Sequence, residues 1–218
     1  MEIRTSIFKG KEFKFICDPD SNPSYWCFED EAAIRDQYWD IQPNDIVFDV
    51  GCAYGSYSLP ALALGAAHVF AWNPLTSETD LLIESAKLNG FFDRLTIFNG
   101  AVYGQTGYLN PDSQLFLPES HAGSFAVRKL DDYLPAISAM IKPTSGAYLK
   151  MDIEGAEESV LPSAIQLLDL YNPKVMIENH EFKAAGIGNR VRSFMEGIGY
   201  RHINTVPYHS VTHSLYIR

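Results

Sequence analysis

The chain has 218 residues, 46% apolar and 13% aromatic, with a formal net charge of −10. That is enough to bury one sizeable core, and it excludes a disordered or collagen-like polymer. The acidic balance works against binding a nucleic-acid backbone, which requires a Lys/Arg stripe, and favours a cationic ligand. Cys17, Cys27 and Cys52 form no C-x-x-C pair and are odd in number, which suits a reducing cytoplasm rather than a disulfide framework. The N-terminal stretch "MEIRTSIFKGKEFKF" lacks the apolar run of a signal peptide. The richest apolar stretch, Ser58 to Trp72, is broken by Pro60 and Gly65, so no membrane span is expected.

Residues 1–44 read as an N-terminal extension: a hairpin, then "FEDEAAIRDQYWDI", whose acidic start suits a helix N-terminus. From Asp45 onward, apolar strands alternate with helical patterns, which predicts βαβ units and a mostly parallel sheet with helices on both faces. "DIVFDVG" is the first strand of that sheet, "SYSLPALALG" a helix and "HVFAW" the second strand. "SETDLLIESAKLNG" predicts a helix, with Ser77 and Asp80 at capping-box spacing, Leu81, Ser85 and Leu88 on one face, and Asn89-Gly90 as its close. "RLTIF" is a third strand. The looser residues 100–146 predict short strands forming a roof. "AYLKMD" and "KVMIE" are further strands, separated by a helix that Pro162 kinks or restarts. "NRVRSFMEGIG" places Val191, Phe194, Met195 and Ile198 on one helical face, and the last residues read as a closing pair of strands.

Three stretches carry chemistry. In "FDVGCAYGSYS" a strand ends in an acid two residues before a tight turn, and Gly51 and Gly55 let backbone approach a ligand. A dinucleotide fingerprint would place Gly at 53 and 56, where the chain has Ala53 and Ser56, so a ligand without a pyrophosphate fits better. In "YLKMDIEGAEESVL" a strand delivers Asp152 and Glu154 to the carboxyl edge of the sheet, where open parallel sheets bind ligands. The alternative is that Glu154 and Glu157 serve the N-terminus of the next helix. In "MIENHEF" the next strand delivers Glu178, Asn179 and His180 to the same edge. His180, with an ordinary pKa of about 6.5, is a natural general base. Tyr25, Trp26, Phe28, Tyr38 and Trp39 are candidates either for an acceptor pocket or for packing, and His202, His209 and His213 are expected to face solvent.

"FDVGCAYGSYS", "VRKLDDYL" and "YLKMDIEGAEESVL", in that order and spacing, resemble the FkbM-type S-adenosylmethionine-dependent methyltransferases. The similarity runs from about Asn44 to the C-terminus. It implies the class I methyltransferase fold, an α/β Rossmann-like three-layer sandwich with a seven-stranded, mostly parallel sheet and an antiparallel last strand. Residues 45–218 would be the methyltransferase domain and residues 1–44 part of an acceptor lid. It also implies S-adenosyl-L-methionine as cofactor and O-methylation of a small-molecule or glycan hydroxyl.

By resemblance, Asp49, Gly51, Cys52, Ala53, Tyr54 and Gly55 match the cofactor loop, with Ala53 where the family often shows Asn. Asn73 and Pro74 stand where a ribose-clasping Glu is expected. Asn99, Gly100, Ala101 and Val102 flank the adenine. Asp152, also a cofactor contact, and Glu154 match the acidic motif at the methyl-transfer centre. Asp152, Glu154 or His180 would take the acceptor proton.

Asp152, Glu178 and Asn179 also resemble the Mg²⁺ site of catechol-type methyltransferases, a metal reading that is not the favoured one. With Asn73 for Glu, a neutral hydrogen bond of about 0.5–1.5 kcal/mol replaces a charged one of about 1.5–3. Asn73→Glu is therefore expected to tighten the cofactor. The rival readings are a catalytically weak methyltransferase-like binding module and a nicotinamide oxidoreductase.

Overall fold

The computed structural model describes residues 1–18, 28, 31–110, 116–117, 120, 124–143 and 146–218. The chain divides into two compact units, Met1–Asn99 with Thr144–Lys150, and Gly100–Pro143 with Met151–Arg218.

Unit 1 opens with an antiparallel hairpin, β1 (Glu2–Phe8) and β2 (Lys11–Cys17). Helix α1 (Ala32–Tyr38) follows. Then come β3 (Ile46–Val50), α2 (Ser58–Leu64), β4 (His68–Asn73), α3 (Thr76–Leu88) and β5 (Leu95–Asn99). β3 pairs parallel with β4, and β4 with β5. Every residue of β3 is buried, as a strand covered on both faces requires.

The hairpin is tied to α3 through the backbone of β2. Ile16 N donates to Ser85 Oγ at 2.9 Å and Lys14 N to Asn89 Oδ1 at 2.8 Å. These bonds occupy ladder groups that an edge strand would otherwise present to another chain. Phe28 stacks on Phe15 with ring centroids 4.0 Å apart, and Trp39 meets the edge of Tyr57 at 5.1 Å. Phe28, Tyr38 and Trp39 are all buried, so of the two readings of these aromatics the structure gives packing. Tyr25 and Trp26 lie outside the described residues.

The helix over 76–88 begins one residue before the predicted one. Its N-cap is Leu75, without a side-chain cap, so the Ser77/Asp80 capping box does not form. Its buried face is Leu81, Leu82, Ser85 and Ala86, and Leu88 is exposed. Asn89 closes it as expected, with Gly90 following at φ +70°.

Unit 2 contains β6 (Ala101–Val102), β7 (Gly107–Leu109), β8 (Phe116–Leu117) and β9 (Phe125–Arg128), which form a small sheet in the order β6-β9-β7-β8. The short strands expected in this stretch are present. Helix α4 (Leu134–Met140) follows. Asp131, from "VRKLDDYL", accepts Gln166 N at 3.0 Å and Leu167 N at 2.9 Å, satisfying two orphan donors at the start of the helix Ile165–Tyr171. Pro162 does restart its helix: α5 (Glu157–Val160) passes through a 3₁₀ turn, Leu161–Ser163, into α6 (Ile165–Tyr171). The unit ends with β11 (Lys174–Asn179), α7 (Ile187–Gly197), β12 (Arg201–Tyr208) and β13 (Val211–Ile217).

With β10 (Ala147–Met151) the large strands form one seven-stranded sheet, β12-β13-β11-β10-β3-β4-β5. β13 runs antiparallel to β11. The fold class read from the sequence is the one observed. Among the described residues, no helix is long and apolar enough to cross a membrane.

Candidate functional site

In unit 1 the turn after β3 is built on spent amides. Gly51 N and Cys52 N both donate to Trp72 O, at 2.9 and 3.0 Å, and Gly55 N closes the turn on Cys52 O at 2.7 Å. Amides committed to a carbonyl are not available as a phosphate cradle, which fits a ligand that has no phosphates. Gly51 and Gly55 take φ +84° and +88°, and a Cβ on Gly55 would stand 2.3 Å from Leu82 Cδ1. Glycine is required there both by backbone conformation and by the approach of α3.

Ala53 also takes a left-handed φ, +43°, a region that costs an ordinary L-residue about 1–2 kcal/mol and that Asn tolerates. Ala53→Asn is expected to stabilise the chain by up to about 1 kcal/mol, a rise of about 2–4 °C in thermal midpoint. An unchanged midpoint would show that the turn stores no such strain.

Asp49 lies beneath this turn, fully buried. Its Oδ2 accepts Ser58 Oγ at 2.5 Å, and Lys150 Nζ stands 3.9 Å from its Oδ1 while donating to Gly51 O at 2.9 Å. Asp49 and Lys150 therefore brace the turn. Cys52 is buried, and its thiol pKa is pushed well up by burial, then by the charge of Asp49, with a smaller contribution from Glu78. A thiol held protonated is a weak nucleophile. Tyr54 is half-buried, whereas Pro74 and Asn99 are exposed. Asn73, at the end of β4, is buried and donates Nδ2 to Glu78 Oε2 at 2.7 Å. Gly100 and Ala101 fall in unit 2, where Ala101 pairs with Val127.

The second cluster lies wholly in unit 2. His180, 2% exposed, has Nδ1 2.8 Å from Glu157 Oε1. That same oxygen accepts Gly155 N at 3.0 Å and Ile153 N at 3.3 Å. Its Nε2 faces Asp152 Oδ1 at 3.6 Å, Glu178 Oε1 at 3.6 Å and Glu154 Oε2 at 3.7 Å. Burial pulls the imidazole pKa down. The hydrogen bond and charge of Glu157, with the charges of Asp152 and Glu178, outweigh it and raise the pKa above its ordinary value.

The three predicted catalytic residues, Asp152, Glu154 and His180, are thus brought together, although Glu154 is largely exposed and bonded to Lys183 Nζ at 2.5 Å. Glu154 takes a left-handed φ of +59°. The residue that sequence reasoning placed only at a helix N-terminus is Glu157, which is fully buried and holds His180. His213, expected in solvent, is instead buried with Nε2 3.7 Å from Glu178 Oε2. The cause is its register on β13, directly opposite Glu178 on β11.

Asp152, Glu178 and His180 each present a ligand atom within 4.8 Å of the others. Asn179, the third member of the oxygen set read from sequence, is not in that group. It is buried, and its Nδ2 donates to Thr212 O at 3.2 Å, Thr212 Oγ1 at 3.3 Å and Ser214 Oγ at 3.1 Å. An imidazole in place of an amide oxygen makes the set a poorer fit to Mg²⁺, which takes oxygen ligands.

The Methyltransferase FkbM domain model matches residues 49–202. No curated protein matches the chain in sequence. Among solved structures, it is similar to the methyltransferase FkbM from Methylobacillus flagellatus KT, with 17% identity and a TM-score of 0.59 over 93% of this chain. This chain spans 56% of the length of that one. It is also similar in fold to Aeropyrum pernix fibrillarin in complex with natively bound S-adenosyl-L-methionine (9% identity, TM-score 0.56, 99% of this chain and 82% of that one). A third likeness is to a putative SAM-dependent methyltransferase from Streptococcus mutans (8% identity, TM-score 0.60, 100% of this chain and 56% of that one). The domain match, which takes in both the glycine turn and the acid–histidine cluster, shows that the chain belongs to the FkbM methyltransferase family.

Proposed function

We propose that the chain is an S-adenosylmethionine-dependent methyltransferase that methylates a hydroxyl of a sugar or small natural product. The observation that carries the reading is His180, held by the buried carboxylate of Glu157 and facing three further carboxylates. The donor brings an activated sulfonium. The acceptor oxygen attacks the methyl carbon, the carbon–sulfur bond breaks with its electron pair returning to sulfur, and S-adenosylhomocysteine leaves. The chain's own contribution is to position the two reactants, an effect worth about 7–11 kcal/mol where alignment is good, and to accept the hydroxyl proton. His180 takes that proton at Nε2, Glu157 fixes the ring, and Asp152 and Glu178 stabilise the resulting imidazolium.

In this reading the turn from Asp49 to Gly55 and the ends of β4 and β5 hold the donor, while residues 1–44 contribute to an acceptor lid and the roof shapes the acceptor. The partner is a small molecule or glycan, not a nucleic acid or a membrane. The buried thiols of Cys17 and Cys52, free of disulfides, support a cytoplasmic setting.

A ligand that binds only the folded state raises the unfolding midpoint. At one hundred times Kd the gain is about 2.7 kcal/mol, or about 5–11 °C at this size. S-adenosylmethionine and S-adenosylhomocysteine are expected to give this shift and NAD none. A response to NAD alone would replace the reading with an oxidoreductase. A shift by both adenosyl compounds, with no S-adenosylhomocysteine formed from S-adenosylmethionine across sugar and small-molecule hydroxyl acceptors, would favour the binding module.

A further inference from the structure

The end of β4 lacks the carboxylate that would accept ribose hydroxyls, because residue 73 is Asn. The chain leaves the strand through Pro74, enters α3 at Thr76, and within the first turn of that helix returns an acid to the same place. Asn73 Nδ2 donates to Glu78 Oε2 at 2.7 Å and to Leu75 O at 3.3 Å. Glu78 is half-buried, and its charge reaches the Cys52 thiol inside the glycine turn. The next residue, Thr79, is buried and donates Oγ1 to Asn99 Oδ1 at 3.0 Å. The ends of β4 and β5 are thereby tied to one turn of α3.

We propose that Glu78 supplies the carboxylate that accepts the ribose hydroxyls of the donor, and that Asn73 positions it. The inference rests on the reading of S-adenosylmethionine as the donor. Asn73 uses its amide protons to aim Glu78, so a second acid at position 73 does not restore an interaction that is missing. Asn73→Glu removes the donor to Glu78 and sets two like charges side by side. The expectation drawn from the sequence is therefore reversed: Asn73→Glu weakens the cofactor.

Calorimetry with S-adenosylhomocysteine and its 2′,3′-dideoxy analogue tests this on the wild type, Glu78→Gln, Asn73→Ala and Asn73→Glu. Glu78→Gln is expected to weaken S-adenosylhomocysteine about tenfold, the difference between a charge-assisted and a neutral hydrogen bond. It should leave the dideoxy analogue unaffected, so that the wild-type preference for the ribose hydroxyls disappears. Both Asn73 variants are expected to weaken S-adenosylhomocysteine as well. Wild-type affinity in Glu78→Gln, or an equal loss for both ligands, overturns the assignment while the donor reading stands. No binding to the wild type overturns both.

Discussion

His180→Gln is expected to lower kcat by about 10² to 10⁴, the usual contribution of a positioned general base, with S-adenosylhomocysteine affinity unchanged. The tautomer follows from the hydrogen bonds around Glu157. Its Oε1 already accepts Ile153 N and Gly155 N, so it acts as an acceptor toward the ring. His180 Nδ1 carries the proton, and Nε2 presents its lone pair to the Asp152, Glu154 and Glu178 side.

The raised imidazole pKa means that activity should climb with pH through a value above the ordinary 6.5. Glu157→Gln removes the hydrogen bond to a charged partner and should move that limb to lower pH. The same raised pKa has a stability counterpart. The stabilisation is fully present below the unfolded value near 6.5 and is lost as pH rises through the folded value. Thermal midpoints of the wild type should fall across that interval, and those of His180→Gln should not. An unchanged kcat in His180→Gln would remove His180 as the base.

What was legible in the sequence follows from how locally each feature is determined. The strands of the large sheet were readable because buried parallel strands are near-continuous apolar runs, and residues 46–50, 68–73 and 147–151 are apolar apart from Asp49, His68, Asn73 and Lys150. The start of α3 was not. Leu75 caps the helix with backbone alone, so Ser77 falls inside the first turn instead of before it.

Asp152 and His180 could be found because they close strands that deliver them to one edge. Glu157 resembles an ordinary helix-start acid until its side chain is seen beneath His180, 23 residues away in sequence. His213 joins Glu178 only through antiparallel register. Glu78 reaches the end of β4 only because the next helix folds back beside Asn73. Each of these depends on a partner brought back by the fold.

Lys150→Met is expected to destabilise the chain by about 3–5 kcal/mol, the usual consequence of breaking a buried ion pair by removing one member. At this size the thermal midpoint should fall by about 6–20 °C. The side chains of Lys150 and Asp49 are 4% and 0% exposed, so solvent cannot take over when the ammonium is removed. Lys150 Nζ also donates to Gly51 O, 99 residues away in sequence, and lies 5.0 Å from the centroid of the Tyr57 ring. One cation therefore opposes the carboxylate at the end of β3, anchors the glycine turn and covers an aromatic face.

Methionine keeps the apolar stem and removes only the charge and the donors, so lost packing contributes little to the expected change. Asp49→Asn in the same chain removes the second charge while an amide oxygen still accepts from Ser58. The double variant should then recover much of the stability, giving a coupling well beyond the few tenths of a kcal/mol seen between independent sites. Because the Gly51 carbonyl stays without this donor, recovery of stability should not be matched by recovery of S-adenosylhomocysteine affinity. A single variant within about 1 kcal/mol of the wild type, or two substitutions that simply add, would show that Lys150 is not what holds the turn.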